Sequence, residues 1–189
     1  MVGNTAATSY NPGSLNANTT YYWRVVAKNS AGSTTSATWS FATGSSGPPA
    51  PVSVSPSSGT GLSQTFVFAY SVPNGLANAN VLINASTSGQ SACWFNYGAA
   101  SNSLSLASDN TSSWSYAALG SATTLQNSQC SVSMAFVTKA VSGSKVTLTV
   151  PVTFKTAFAG KKNVYLRVQD NAGTMTSFAG LGTWTVPNH

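Results

Sequence analysis

The sequence predicts an all-β protein. Two observations support this: stretches of alternating apolar and polar residues recur between Gly, Asn, Ser and Pro turn signals, and no segment shows sustained helical periodicity. The composition agrees, because hydroxyl and amide side chains replace most of the charged residues that an ordinary soluble protein carries. We therefore expect antiparallel strands that pack as a β-sandwich.

Charged side chains are scarce. The 189 residues include eight Lys or Arg, two Asp and no Glu, and the formal net charge is +6. The cations are scattered, so the chain lacks the Lys and Arg clusters of a nucleic-acid-binding surface. Few carboxylates and a single His, His189, leave little from which acid/base or triad chemistry is built. We expect neither an enzyme nor a nucleic-acid-binding protein.

Two strands are predicted before a linker. Residues 19–27 are rich in aromatic and β-branched side chains and alternate between two faces, and residues 36–43 form the second strand. Residues 45–51 combine Gly, Ser and Pro, which predicts a short and rather stiff linker. The chain is therefore expected to divide into residues 1–44 and a longer region, 52–189.

The first region resembles the last half of a fibronectin type III domain. The resemblance rests on the spacing L-x-x-x-T-x-Y-x-x-x-V-x-A-x-N-x-x-G, which is matched by Leu15, Thr19, Tyr21, Val25, Ala27, Asn29 and Gly32. It implies that Tyr21 is the tyrosine-corner residue and that Trp23 lies in the core. Because the early strands of such a domain are missing, an apolar face and a sheet edge are expected to be uncovered. That edge could pair with a partner strand or drive self-assembly.

The longer region is predicted to contain ten strands, at 51–55, 65–71, 79–85, 91–97, 103–107, 113–117, 131–137, 145–155, 163–169 and 181–186. Alternation is clearest where Val164, Leu166 and Val168 oppose Tyr165 and Arg167. The opening Pro51–Gly59 resembles the first strand of Ig-like modules in secreted bacterial proteins. The whole region is similar to the Ig-like or jelly-roll-like β-sandwich modules that accompany fibronectin type III domains there, which implies an extracellular or cell-surface location.

The two cysteines are expected to form a disulfide. Cys93 and Cys130 make an even count in a chain rich in Ser and Thr, and no other metal-ligating residue lies near them in the sequence. No apolar run approaches the length of a membrane span, so we expect none.

Aromatic side chains are the candidate ligand-binding groups. If Cys93 faces the core, strand alternation turns Trp94 outward. Trp114 and Tyr116 share a face of a later strand. Flat aromatic rings beside amides and hydroxyls suit a sugar ring, because its C–H face stacks on them while its hydroxyls seek polar groups. The alternative for each Trp is burial in the core, which is where we place Trp184.

Asn96 and Asn110 are the predicted polar partners of these rings. We therefore predict a non-catalytic module that binds a polysaccharide such as a plant cell-wall glycan. The competing hypothesis is a structural spacer, or a surface-assembly or adhesion module, without a small-molecule ligand. Low charge and abundant hydroxyl groups fit both functions.

The two carboxylates, Asp109 and Asp170, lie in separate turns. A glycosidase needs two carboxyl groups close together, and nothing in the spacing brings these two together. Each is expected to cap the backbone of its own turn. A Ca²⁺ site completed by Asn side chains and backbone carbonyls is the alternative, and no other cofactor is expected.

Overall fold

A computed structural model describes residues 3–17, 19–44 and 47–188. The chain forms two compact units, Met1–Ser46 and Gly47–His189. Within the described residues every regular element is a β-strand or a short 3-10 turn, so the all-β prediction is confirmed. In the same part of the chain, no helix has the length and apolar character needed to cross a bilayer.

The first unit consists of two-stranded sheets. Residues 3–17 and 19–44 contain β1 (Thr20–Trp23), β2 (Val26–Asn29), β3 (Gly32–Thr35) and β4 (Trp39–Ala42). Strand β1 pairs antiparallel with β4, and β2 pairs antiparallel with β3. The predicted strand 19–27 is therefore interrupted before Val26. The interruption is stabilised because Val25 exchanges hydrogen bonds with Ser36 outside both ladders.

The second unit contains the larger set of strands. In chain order these are β5 (Ala50–Ser55), β6 (Ser58–Thr60), β7 (Ser63–Ser71), β8 (Leu76–Asn84), β9 (Cys93–Gly98), β10 (Ser103–Ala107), β11 (Trp114–Ala118), β12 (Thr124–Gln126), β13 (Cys130–Ser133), β14 (Thr138–Ser142), β15 (Lys145–Phe154), β16 (Gly160–Asp170) and β17 (Ala179–Val186). Nine of the ten predicted strands are present with small shifts of their ends, whereas the predicted strand 131–137 ends at Ser133 and continues as a 3-10 turn over Met134–Phe136. The short β6, β12 and β14 were not predicted. Strand β5 starts inside the predicted linker, at Ala50.

These strands form two sheets over residues 47–188. One sheet has seven strands in the order β11-β10-β9-β8-β16-β17-β6. The other runs β12-β13-β15-β7-β5, with β14 also paired to β15. The pairing of β17 with β6 is parallel, and the remaining ladders are antiparallel. Long β8 and β16 lie in the middle of the seven-stranded sheet.

The core lies between the two sheets. Phe68 of β7 packs against Phe95 of β9 at 5.8 Å between ring centroids. The disulfide Cys93–Cys130 joins β9 to β13 and so links the sheets covalently, which confirms the predicted bridge. Trp184 is buried, as predicted, and its Nε1 donates to a backbone carbonyl. The arrangement is a β-sandwich. The outer face of each sheet points away from this core.

Candidate functional site

The candidate site lies on the outer face of the seven-stranded sheet. The strand register places one row of side chains across five strands, from Tyr116 through Ser105, Asn96 and Asn80 to Arg167. With neighbouring strands about 4.8 Å apart, the row is about 19 Å long. It offers two amides, a hydroxyl, a phenol and a guanidinium on one surface.

Strand β9 supplies the central aromatic residue. Its side chains alternate between buried and half-buried, so that Cys93, Phe95 and Tyr97 face the core while Trp94 and Asn96 face outward. This is the orientation that the sequence predicts once Cys93 is placed in the core. The disulfide therefore also fixes which face of β9 presents its Trp.

Trp94 contacts two other aromatic rings. The ring of Trp114 lies edge to face with it, with centroids 4.9 Å apart and planes at 73°. Phe178, from the segment before β17, contacts it at 6.3 Å and 71°. Ala107 of β10 lies opposite Trp114 in the ladder, and its small side chain lets the two indoles meet across the intervening strand. We call Trp94, Trp114 and Phe178 the aromatic cluster.

Asn80 connects the cluster to Arg167. Its Oδ1 lies 3.4 Å from both Trp94 Nε1 and Arg167 Nη2, at the long limit of a hydrogen bond. The Arg167 guanidinium stacks over Phe178 at 4.5 Å from the ring centroid. Partial burial lowers the pKa of Arg167, because desolvation disfavours its charged form.

A shallow concavity of about 400 Å³ lies over these groups. It is lined by Asn80, Trp94, Asn96, Ser105, Trp114 and Arg167. Two polar atoms in its walls, Asn96 Oδ1 and Arg167 Nε, are buried and have no hydrogen-bond partner among the described residues. Since buried polar groups are nearly always paired, each of these atoms would gain a partner if its side chain turned toward a ligand or solvent in the concavity.

A second concavity, of about 540 Å³, adjoins the first along the strands. Its walls include Asn78 and Gly98, and also Asn171. Asn78 and Gly98 form the ladder pair next to Asn80 and Asn96 on the same outer face. A Cβ at Gly98 would lie 3.1 Å from Ser101 Oγ, so the glycine lets Ser101 approach the strand closely. The two concavities together form a trough along β8 and β9.

Not every predicted site residue lies at the concavity. Tyr116 is 77% exposed at the edge strand, at the end of the row. Asn110 lies in the turn before β11, where its Oδ1 accepts hydrogen bonds from Ser108 and Ser112. The amide oxygen of Asn110 is therefore committed to its own loop. Trp94, Trp114 and Asn96 are the predicted residues that the structure brings together.

Neither carboxylate is among the residues that line the two concavities. Asp109 accepts from the backbone and hydroxyl of Ser128, so it ties two loops together and does not cap its own turn. Asp170 accepts from Thr174 within its turn and from Asn74 outside it. In the described part of the chain, no three His, Cys, Asp or Glu residues cluster as metal ligands. His189 lies outside the described residues.

The first unit presents a separate aromatic surface. Trp23 of β1 and Trp39 of β4 pair at 4.8 Å between centroids, and each is nearly half exposed. Trp23 is therefore not in a core, contrary to its expected role, because no described strand of this unit covers that face. The Tyr21 hydroxyl accepts from the Asn16 backbone N–H, five residues upstream.

Sequence reasoning missed Asn80, Phe178 and Arg167. The alternation along β16 places Arg167 on the outward face, and that was the one available signal for it. The adjacency of β16, β8 and β9 depends on sheet order, which strand patterns do not encode. Comparison with known protein families, with characterised proteins and with solved structures gave no match.

Proposed function

We propose that this protein is a non-catalytic carbohydrate-binding module whose outer sheet face binds a polysaccharide. The observation that carries the proposal is the aromatic cluster beside a row of amide, hydroxyl and guanidinium groups on one open surface. Trp114, which is 38% exposed, offers a ring on which the C–H face of a sugar can stack.

The polar groups of the row complement sugar hydroxyls. Asn80 and Ser105 flank Asn96 on the neighbouring strands. Asn96 Oδ1 lacks a donor among the residues described, and a small rotation of its amide toward the concavity would let a hydroxyl donate to it. A few placed polar groups beside apolar rings are typical of small-molecule and sugar sites.

The extent of the trough favours a polymer over a single sugar. Asn80 lines the first concavity and Asn78 the second. These two residues are two positions apart on β8, or about 7 Å. A glycan chain that runs along β8 and β9 would contact the aromatic cluster first and then the second concavity.

The broader assignment belongs to the same proposal. A disulfide in a chain rich in hydroxyl side chains supports secretion. The hydrogen bond from Asn16 to the Tyr21 hydroxyl is what a tyrosine corner would make, and it supports kinship of the first unit with fibronectin type III domains. We accordingly propose an accessory module of a secreted bacterial protein, with an Ig-like or jelly-roll-like second domain.

The test is affinity electrophoresis of the full chain through gels that contain β-glucan, xylan or mannan. We expect one polymer to retard the wild-type protein and Trp114→Ala to abolish the retardation. Trp23→Ala, which removes an exposed Trp from the first unit, is the matched control and is expected to be retarded normally. Equal loss of retardation in both variants would contradict the proposed site, and equal mobility in all gels would contradict a neutral plant glycan as the ligand.

A second candidate function is surface assembly through the first unit. It is favoured by the exposed pair Trp23 and Trp39 on a two-stranded sheet with free edges among the described residues. The proposed occupant is a second copy of the chain. Sedimentation velocity should then show a concentration-dependent dimer that Trp39→Ala weakens, whereas a monomer at all concentrations would contradict this candidate.

A further inference from the structure

Arg167 is a cation without an acidic partner in the described residues. The chain has two acidic side chains. Asp109 is held by Ser128, and Asp170 accepts from Asn74 and Thr174, so both are engaged elsewhere. Within residues 3–17, 19–44 and 47–188, the polar and aromatic contacts of Arg167 are a long hydrogen bond to the Asn80 amide oxygen and a stacking contact with Phe178.

This arrangement is unfavourable for the protein alone. The Arg167 side chain is half-buried, and its Nε is enclosed without a hydrogen-bond partner among the residues described. A partly desolvated charge loses hydration that a neutral amide cannot fully replace. An anion bound at the concavity would give the guanidinium the charged partner that it lacks, since a guanidinium binds carboxylates and sulfates through paired N–H groups.

Arg167 lies beside the aromatic cluster, so an anion that binds it could be a substituent of a sugar that stacks on the cluster. Asn80 Oδ1 contacts both Trp94 Nε1 and Arg167 Nη2, so the indole and the cation flank one amide. A sugar ring over the cluster would have its substituents within reach of the guanidinium. An acidic group on that ring would meet a guanidinium whose contacts among the described residues are with Asn80 and Phe178 and not with a carboxylate.

We propose that the polysaccharide bound by this face is anionic, and that a carboxylate or sulfate group on its sugars pairs with Arg167. This inference rests on the proposed carbohydrate-binding function and narrows its ligand to acidic glycans. Arg167 would then determine specificity, while the aromatic cluster supplies the stacking contacts that any glycan would use.

The test uses acidic polymers with matched neutral backbones. Polygalacturonate, alginate and hyaluronan are each compared with their carboxyl-reduced forms, and dextran sulfate is compared with dextran, by biolayer interferometry at physiological salt. The sulfate pair and the three carboxylate pairs distinguish the two kinds of anionic group. For at least one pair we expect the acidic polymer to bind about tenfold more tightly, the gain typical of a charge-assisted hydrogen bond.

Arg167→Gln should abolish this preference and leave the weaker binding of the neutral polymer. Lys161→Gln is the matched control, because Lys161 is exposed on the same face of β16 and its removal changes the net charge equally. It lies six residues away, about 20 Å, which exceeds the screening length at physiological salt. It should keep the preference. If Arg167→Gln does not fold, Arg167→Lys should show a reduced preference, because lysine keeps the charge but lacks the paired N–H groups of the guanidinium.

Several outcomes would overturn the inference. If no acidic polymer exceeds its neutral partner while a neutral glycan still binds, the anionic ligand is wrong and the carbohydrate-binding function survives. If Lys161→Gln weakens binding as much as Arg167→Gln, the effect is a general attraction between polyanions and a basic protein. If no polymer of any kind binds, the proposed function fails together with the inference.

Discussion

The rings of Trp94 and Trp114 meet edge to face, with centroids 4.9 Å apart, although their strands are separated by β10. They meet because Ala107 is the β10 residue opposite Trp114, and a methyl group does not hold two indoles apart. Ala107 is 1% exposed, whereas Ser103 and Ser105 on the same face of β10 are half-buried. Two distant parts of the sequence thereby form one apolar surface.

Trp114→Ala should separate binding from stability. Trp114 lies on an edge strand, is 38% exposed and packs against Trp94, so its removal should lower the free energy of unfolding by about 1–3 kcal/mol. The affinity for a bound glycan should fall at least about tenfold, since the ring is a proposed stacking surface. Urea unfolding and calorimetric titration measure the two effects. A large loss of stability with unchanged affinity would show that Trp114 is a structural residue only.

Gly89→Ala should weaken glycan binding indirectly, by displacing the ring of Trp94. A Cβ at this position would lie 2.5 Å from Trp94 Cε3, so the indole must shift. We expect a several-fold loss of affinity and a destabilisation of about 1–3 kcal/mol from overpacking. Gly44→Ala is the control, because among the described residues nothing lies within 4 Å of its added Cβ. Equal affinity in the two variants would mean that the orientation of Trp94 is unimportant.

Removal of the disulfide should destabilise the second unit strongly. Cys93 and Cys130 are 37 residues apart in the sequence, and the chain-entropy model assigns such a crosslink about 4 kcal/mol. We expect the double variant Cys93→Ala and Cys130→Ala to lose a stability of this order in urea unfolding. Wild-type protein unfolded with a reductant present should behave similarly. A loss below about 1 kcal/mol would show that core packing alone holds the two sheets together.

Stability should decrease at acidic pH through Asp170. The Asn74 amide, and after it the Thr174 backbone N–H, hold the pKa of this carboxyl below its ordinary value. A pKa that is lower in the folded state stabilises the fold above the unfolded pKa, and this contribution is lost as pH falls through the folded pKa. The urea concentration at the midpoint of unfolding should therefore decrease for the wild type as the pH is lowered below about 4.

The control for this effect is Asp170→Asn. The variant should be less stable than the wild type at pH 7, and its urea midpoint should change less between pH 5 and pH 2. Parallel pH profiles for the two proteins would mean that another group produces the acid sensitivity.

Strand positions were readable from the sequence because alternation reports burial directly. The pattern in β9 and β16 predicted which residues face the core, and Trp94 was placed outward for that reason. Sheet order was not readable, since an alternating strand pairs equally well with many neighbours. The contact of Asn80 with Arg167 depends on the pairing of β8 with β16, which are about eighty residues apart.

The short strands escaped prediction for a related reason. Three residues, as in β6 or β12, are too few to show a period. The role of Asn110 was harder to predict, because an exposed amide in a turn can bind a ligand or stabilise the turn. Its hydrogen bonds with Ser108 and Ser112 stabilise the turn itself, and only the folded loop reveals that choice.

The most direct test of the carbohydrate-binding face is the response of the five indole N–H signals in a nitrogen-15 correlation spectrum to each glycan. Single Trp→Phe variants assign the signals. We expect a binding glycan to shift the signals of Trp94 and Trp114 and to leave those of the buried Trp184 and of Trp23 and Trp39 unchanged. Shifts confined to Trp23 and Trp39, or no shift with any neutral or acidic glycan, would contradict the account.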